Sequence, residues 1–486
     1  MNRRDFITFS SVAAIALLGG CGGSGENSSN TGSSGNTSSG NTPTTSSGKP
    51  LPIPVLHTGE LRGGVKHFDL TIQEASHEFF SGIQTATWGI DATYLGPTLL
   101  MRRGEDVSVN YTNRLPEATT MHGHGMHVPG EMDGTAHQPI AVNTTWSAQY
   151  HVDQTACTNW YHPHYMHKTA PHVYQGLAGM IIIEDSVSQS LDLPKRYGVD
   201  DIPLVLQDRF FSDDKRSLLY APNNMQLARG YIGDTFIANG AIEPVFDAEA
   251  KELRLRLLNG SNSTVYTLGF NDDRAFHQIA TDNGFLETPV SMSRLTLSPG
   301  ERAEIVVDLS SDLGSTLVLH EYRYNKEFLT INVSKDQTAT TSLPASLTTL
   351  DPIPTPTNTR TFTLGMAGMG TFTINGKTMD PNRIDVALSQ GDVEEWEIIN
   401  TMNMDHNFHI HGTHFRVISR NDDPNAVLEN EKGYKDVVYL PAQSRVKFIV
   451  SVPNDGVTAD ANNPYMFHCH FLEHEDNGMM GQYTVS

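Results

Sequence analysis

The stretch His468-Cys469-His470-Phe471-Leu472-Glu473-His474, with Met479 shortly beyond it, decides how the rest of the chain is read. On an extended strand, residues i and i+2 share a face and the residue between them points the other way. His468 and His470 therefore look to one side and Cys469 to the other. Thiolate and thioether are soft ligands that favour the reduced ion, while imidazoles keep the oxidised ion accessible. Cys469, His474 and Met479, joined by His406 from an earlier cluster, make the His2Cys-plus-methionine set of a one-electron blue-copper site. The two histidines on the opposite face serve a second site, covalently linked to the first.

Moving outward, the His-x-His spacing occurs four times: His122/His124, His162/His164, His409/His411 and His468/His470. Random placement of the chain's 21 histidines would give about one such pair. Eight neutral imidazoles, presented two by two, suit a multinuclear copper, zinc or iron site. Zinc alone fits poorly, because structural zinc closes a four-ligand tetrahedron and recruits no methionine. The isolated histidines His57, His67, His77, His151, His277 and His320 read as structural, and so do His127, His167 and His414 beside the clusters. Cys157 reads as a buried free thiol.

Strand-like alternation runs through the chain from residue 51, for example in Val107-Ser108-Val109-Asn110-Tyr111 and Arg445-Val446-Lys447-Phe448-Ile449-Val450. One such strand recurs three times, over 104–113, 252–259 and 391–400, and each copy ends in asparagine. The asparagines are 146 residues apart (113 to 259) and 141 apart (259 to 400). Two nearly equal periods imply three related domains. Nine residues after Asn113 stands His122 and nine after Asn400 stands His409, whereas Leu268-Gly269-Phe270 occupies the corresponding place after Asn259. The chemistry is thus expected where the first and third domains meet, with the second as a spacer. The expected boundaries are 51–190, 191–345 and 346–486, the last beginning near the proline-rich Asp351-Pro352-Ile353-Pro354-Thr355-Pro356.

A length of 486 residues agrees with about three domains. A net charge of −22 argues against nucleic acid as a partner, and 38% apolar residues argue against a polytopic membrane protein. Residues 1–21 read as an export signal. Arg3-Arg4-Asp5-Phe6-Ile7 resembles a twin-arginine motif, and Leu18-Gly19-Gly20-Cys21 resembles a lipoprotein cleavage box that would place a lipid anchor on Cys21. Residues 22–50, mostly Gly, Ser, Asn and Thr, read as a disordered tether. A periplasmic or cell-envelope location and a monomeric state are expected.

His122-Gly123-His124-Gly125, Trp160-Tyr161-His162-Pro163-His164, His406-Asn407-Phe408-His409-Ile410-His411-Gly412 and the segment from His468 to Met479 together resemble the multicopper oxidase family, over roughly residues 55–486. The segments 119–134, 176–185 and 469–480 are similar to the bacterial copper-efflux oxidases. The resemblance implies an all-β chain of three cupredoxin-like Greek-key β-barrels holding four coppers. It places type 1 copper on His406, Cys469, His474 and Met479, and type 2 copper on His122 and His409. The type 3 pair falls to His124, His162, His164, His411, His468 and His470. It implies one-electron oxidation of a small-molecule donor, phenolic or Cu(I), coupled through Cys469 to four-electron reduction of O2 to water. Asp133 and Glu475 occupy the places of acids that deliver protons. A non-catalytic copper-binding envelope protein is the contrasting expectation, and the twelve filled ligand positions weigh against it.

Three departures from the family pattern stand out. Gly123 replaces a tryptophan, which is expected to loosen the strand or open space by the cluster, and Asn407 replaces a proline. A long methionine-rich insert is missing, and what remains is Met366, Met369, Met379, Met402 and Met404, either core and loop filling or a Cu(I) entry site.

Overall fold

The repeated asparagine strands become the central strands of three sheets, and each has the same neighbours. Residues Lys66–Ile72 run parallel to Val107–Asn113, Asp201–Leu206 parallel to Arg254–Asn259, and Asn358–Leu364 parallel to Glu394–Asn400. On its other edge each central strand pairs antiparallel with a later one: Thr145–His151, Arg302–Asp308 and Ser444–Ser451. The asparagine has a common physical role. Asn113 Oδ1 accepts the Leu115 amide, and its Nδ2 donates to Glu117 O and Ile140 O. Asn259 and Asn400 repeat that pattern, with Ser261 and Met402 as amide donors and Thr264, Leu297, Met404 and Leu440 as carbonyl acceptors. A short amide side chain that closes a turn on its own backbone is why the residue type recurs.

The computed structural model describes residues 48–249, 251–333 and 342–486. The export signal, the Cys21 box and nearly all of the Gly/Ser/Asn/Thr segment lie outside them. The described chain is all-β, three cupredoxin-like domains of two sheets each, and its longest helices, such as Thr169–Tyr174 and Asn224–Arg229, have six residues. The sheet pairs draw on strands from residues 56–184, 201–333 and 358–485. Each pair encloses its own apolar core, the third built around Trp396, Phe408, Phe448 and Phe467. Two segments pack across the sequence divisions. Leu51 is buried in the second core because its amide bonds to Val245 O, and Leu347 packs beside Phe285.

The first and third domains are bound directly to each other. The Gly130 amide donates to Thr458 O, His137 Nε2 meets Gln482 Oε1, and the Tyr465 hydroxyl donates to Val128 O at 2.5 Å. The second domain closes the remaining side, for example through Asn283 Nδ2 to Gly125 O and Thr281 Oγ1 to Tyr434 O.

Candidate metal centre

Strand register brings the histidines together before any side-chain packing is considered. His122 lies directly opposite His162 in one antiparallel pair, and His409 opposite His468 in another. Facing residues share a face of the sheet. Along His406–Ile410, His406, Phe408 and Ile410 turn into the third core, which also holds Phe467 and Cys469. His409, with His411 just beyond the strand, turns out to the first domain, as do His468 and His470. The strand proper ends at His468, so Cys469 and His470 keep the alternation just past it.

On the core side, the Cys469 sulfur is 3.5 Å from His406 Nδ1 and 3.6 Å from His474 Nδ1, and those two nitrogens are 3.0 Å apart. His474 is held between the rings of Phe372 (4.1 Å) and Phe471 (5.3 Å), and its Nε2–H donates to Ala228 O at 3.2 Å. That bond leaves Nδ1 as the free lone pair. Met479 is buried in the same core, and its carbonyl accepts the Cys469 amide. Burial pushes the Cys469 thiol up to about 12 and holds His474 down at about 4. A cation that binds here must therefore displace the thiol proton.

On the other side, eight imidazoles form one buried cluster; seven fall in overlapping triads whose ligand atoms lie within 4.8 Å of one another, and the His470 ring lies 4.9 Å from His124 and 5.2 Å from His162 between centroids. The outer nitrogen of most rings is committed. His122 Nδ1–H donates to Asp133 O (2.6 Å), His162 Nδ1–H to Pro163 O (2.8 Å), and His409 Nδ1–H to Asp436 O (2.9 Å). His124 Nε2–H donates to Asp436 Oδ1 (3.0 Å) and His411 Nδ1–H to Asp133 Oδ2 (2.7 Å). The inner nitrogens His122 Nε2, His124 Nδ1, His162 Nε2, His409 Nε2 and both of His470 are buried with no hydrogen-bond partner. His468 Nε2 lies 3.2 Å from His164 Nε2 and 3.1 Å from His411 Nε2. Unprotonated lone pairs buried this close together repel one another unless cations sit between them. Burial keeps His124, His162, His409 and His411 well below the usual imidazole range, in the neutral form that metals bind. These residues fit a copper cluster.

Both expected acids are buried against the cluster. Asp133 touches His411 and His122, and Glu475 Oε2 lies 3.1 Å from His468 Nδ1 with Oε1 3.6 Å from His164 Nε2. Burial pushes the Glu475 carboxyl up, but the His468 and His164 imidazoles overcome it and hold it below the usual range. Gly123 does not open the expected space, because a Cβ there would meet Met126 Cγ at 3.0 Å. Asn407, in place of proline, works as a clamp. Its Oδ1 accepts the His470 amide, and its Nδ2 donates to Ser298 Oγ and Pro299 O in the second domain.

Sequence reasoning missed Asp436 and Arg302. Asp436 orients His124 and His409 at once, and Arg302, from the second domain, grips it with two bonds of 2.6 Å. The second domain is therefore more than a spacer. An acid directly before the apolar strand Val437–Leu440 was the available signal for Asp436. Trp160 stacks on His162 at 4.1 Å. Of the methionines, Met366, Met402 and Met404 pack against the third core, Met379 is half-buried and Met369 is exposed.

Comparison with known proteins gives a consistent result. Family descriptions of multicopper oxidase match residues 71–188 and 348–486. The chain is 37% identical over 428 residues to the multicopper oxidase mco of Staphylococcus haemolyticus, covering 87% of this chain and 89% of the relative. It is also 37% identical over 453 residues to the cell division protein FtsP of Sodalis glossinidius, covering 90% and 92%. Among solved structures it resembles a laccase-like multi-copper oxidase CueO from Ochrobactrum sp., described as having oxidase activity towards lignin model compounds. The TM-score there is 0.82 at 33% identity, covering 90% of this chain and all of that one.

Proposed function

Because this chain belongs to the multicopper oxidase family, we propose that it oxidises a small phenolic or similar aromatic donor one electron at a time. O2 is the acceptor, reduced by four electrons to water. The observation that carries the reading is a single tripeptide. Cys469 stands in the set with His406 and His474, while its covalent neighbours His468 and His470 stand in the eight-histidine cluster. Four bound coppers would supply the redox chemistry, one held by His406, Cys469, His474 and Met479 and three by the eight histidines.

The chain's own residues do the rest. Cys469 and the peptide bonds on either side of it connect the two sites through bonds alone. Asp133 and Glu475 lie within hydrogen-bond reach of His411 and His468, where they would relay the protons that oxygen reduction consumes. Phe372, Phe471 and the Asn224–Arg229 helix bury the donor-side set. The likeness to an oxidase described as acting on lignin model compounds supports an aromatic donor. The chain acts as an exported monomer, carried out by the Arg3-Arg4 signal and tethered through a lipid on Cys21.

A second reading, oxidation of Cu(I) or another metal ion, is favoured by one observation. Met225, on the helix that caps His474, and Met369 are both solvent-exposed thioethers. Oxygen uptake by the copper-loaded protein, with a simple phenol against Cu(I) at matched ionic strength, separates the two. Cys469→Ser should abolish the blue colour and turnover together. Uptake at the native rate by that variant would overturn the electron path.

A further inference from the structure

Two histidines outside the copper sets face each other across the junction of the first and third domains. His127 follows His124 by three residues and His414 follows His411 by three. Their ring centroids are 5.0 Å apart with planes at 33°. Some ring pairs here at a similar spacing have converging nitrogens. His406 and His474 are 4.7 Å apart between centroids, with Nδ1 atoms at 3.0 Å, and His164 and His468 are 4.9 Å apart, with Nε2 atoms at 3.2 Å.

His127 and His414 line an open cavity of about 660 Å³, whose wall also carries the carboxylates Asp153, Asp351 and Asp455 and the cation Arg103. His127 Nε2 is buried with no hydrogen-bond partner. Its backbone is fixed, because the His127 amide donates to Gln154 Oε1, and Gln154 Nε2 donates to Gly125 O. Tyr434 backs the His414 ring at 4.3 Å. Simple stacking of two neutral rings would explain the contact but not a buried nitrogen left unpaired, a cost of about 1–3 kcal/mol. Burial holds both rings below the ordinary imidazole range, so both lone pairs are available.

We propose that His127 and His414 form a separate metal site that binds a divalent ion of the zinc or copper(II) class. Two imidazoles with water completing the coordination make such a set, which suits these ions better than magnesium or calcium. The ion joins the first and third domains beside the cluster they share. The inference uses neither copper set, so it stands or falls apart from the oxidase reading.

The test adds Zn2+ to the copper-loaded full chain, removes free metal by gel filtration, and measures zinc and copper per chain. The wild type should retain one zinc without losing copper. His127→Gln and His414→Gln should each bind zinc at least tenfold more weakly, with copper content and oxygen uptake unchanged. Zinc that is not retained, that binds only by displacing copper, or that is held equally by the double variant would overturn the proposal. Zinc X-ray absorption of the wild type decides the matter if a variant fails to fold. Two imidazole ligands are expected, and a spectrum with none refutes the site.

Discussion

Replacing Arg302 with methionine should damage both the fold and the copper cluster. Arg302 and Asp436 are fully buried, and their paired bonds are both 2.6 Å. The guanidinium also donates to Asn159 Oδ1 (2.7 Å), Thr158 O (3.0 Å), Asp282 O (3.1 Å) and Gly300 O (3.2 Å), so one side chain ties all three domains together. Removing one member of a buried ion pair costs about 3–5 kcal/mol, because the other charge is left uncompensated. Burial already pushes the Asp436 carboxyl up, and Arg302 is the main charge opposing that. Without it, the carboxylate that accepts from His124 weakens, and loss of such an orienting partner lowers metal affinity about 10–100-fold. Thermal or denaturant unfolding of the copper-free protein reads the first effect, and copper retained at fixed free copper reads the second. Arg302→Lys keeps the charge but not the fork and should fall between. A methionine variant that folds within about 1 kcal/mol of wild type and binds copper at native affinity would refute the reasoning.

Glu304 gives a pH signature. Burial pushes its carboxyl up, but Arg254 and Arg256 outweigh that and hold it at about 2 against an ordinary 4.5. A carboxyl depressed in the folded state stabilises above its unfolded pKa, so about 3 kcal/mol should be lost as pH falls from about 4.5 towards 2, and Glu304→Gln should flatten that slope in acid unfolding curves. Asn259→Ala removes three buried hydrogen bonds and should cost about 2–4 kcal/mol by denaturant melting, whereas a loss below about 0.5 would deny the turn role given to the repeated asparagine. Gly134 sits at φ +76°, and a Cβ there would lie 1.9 Å from Met121 O. Gly134→Ala should therefore destabilise by more than about 2 kcal/mol and lower copper content, because it shifts the neighbouring Asp133.

Much of this was legible in the sequence because two-residue periodicity carries it. Alternation in His468-Cys469-His470 separates the sulfur from the rings, and the Asn113, Asn259 and Asn400 spacing reflects one turn built three times. The partners that lie far away in sequence were not legible. Asp436 matters only because Arg302 reaches it from 134 positions earlier, and no local pattern signals a bond across domains. Gly123 was misjudged for the same reason, since the atom filling its space belongs to Met126, whose direction only the folded loop sets. His127 and His414 read as structural because their proximity arises only where two domains meet.

The central claim is that one cysteine joins a single-metal site to a three-metal cluster. Anomalous scattering at the copper edge from crystals of the loaded protein tests it most directly. One peak should lie among Cys469, His406 and His474 and three among the eight paired histidines. No peak at the sulfur, or copper at the sulfur with none in the histidine cluster, would contradict it.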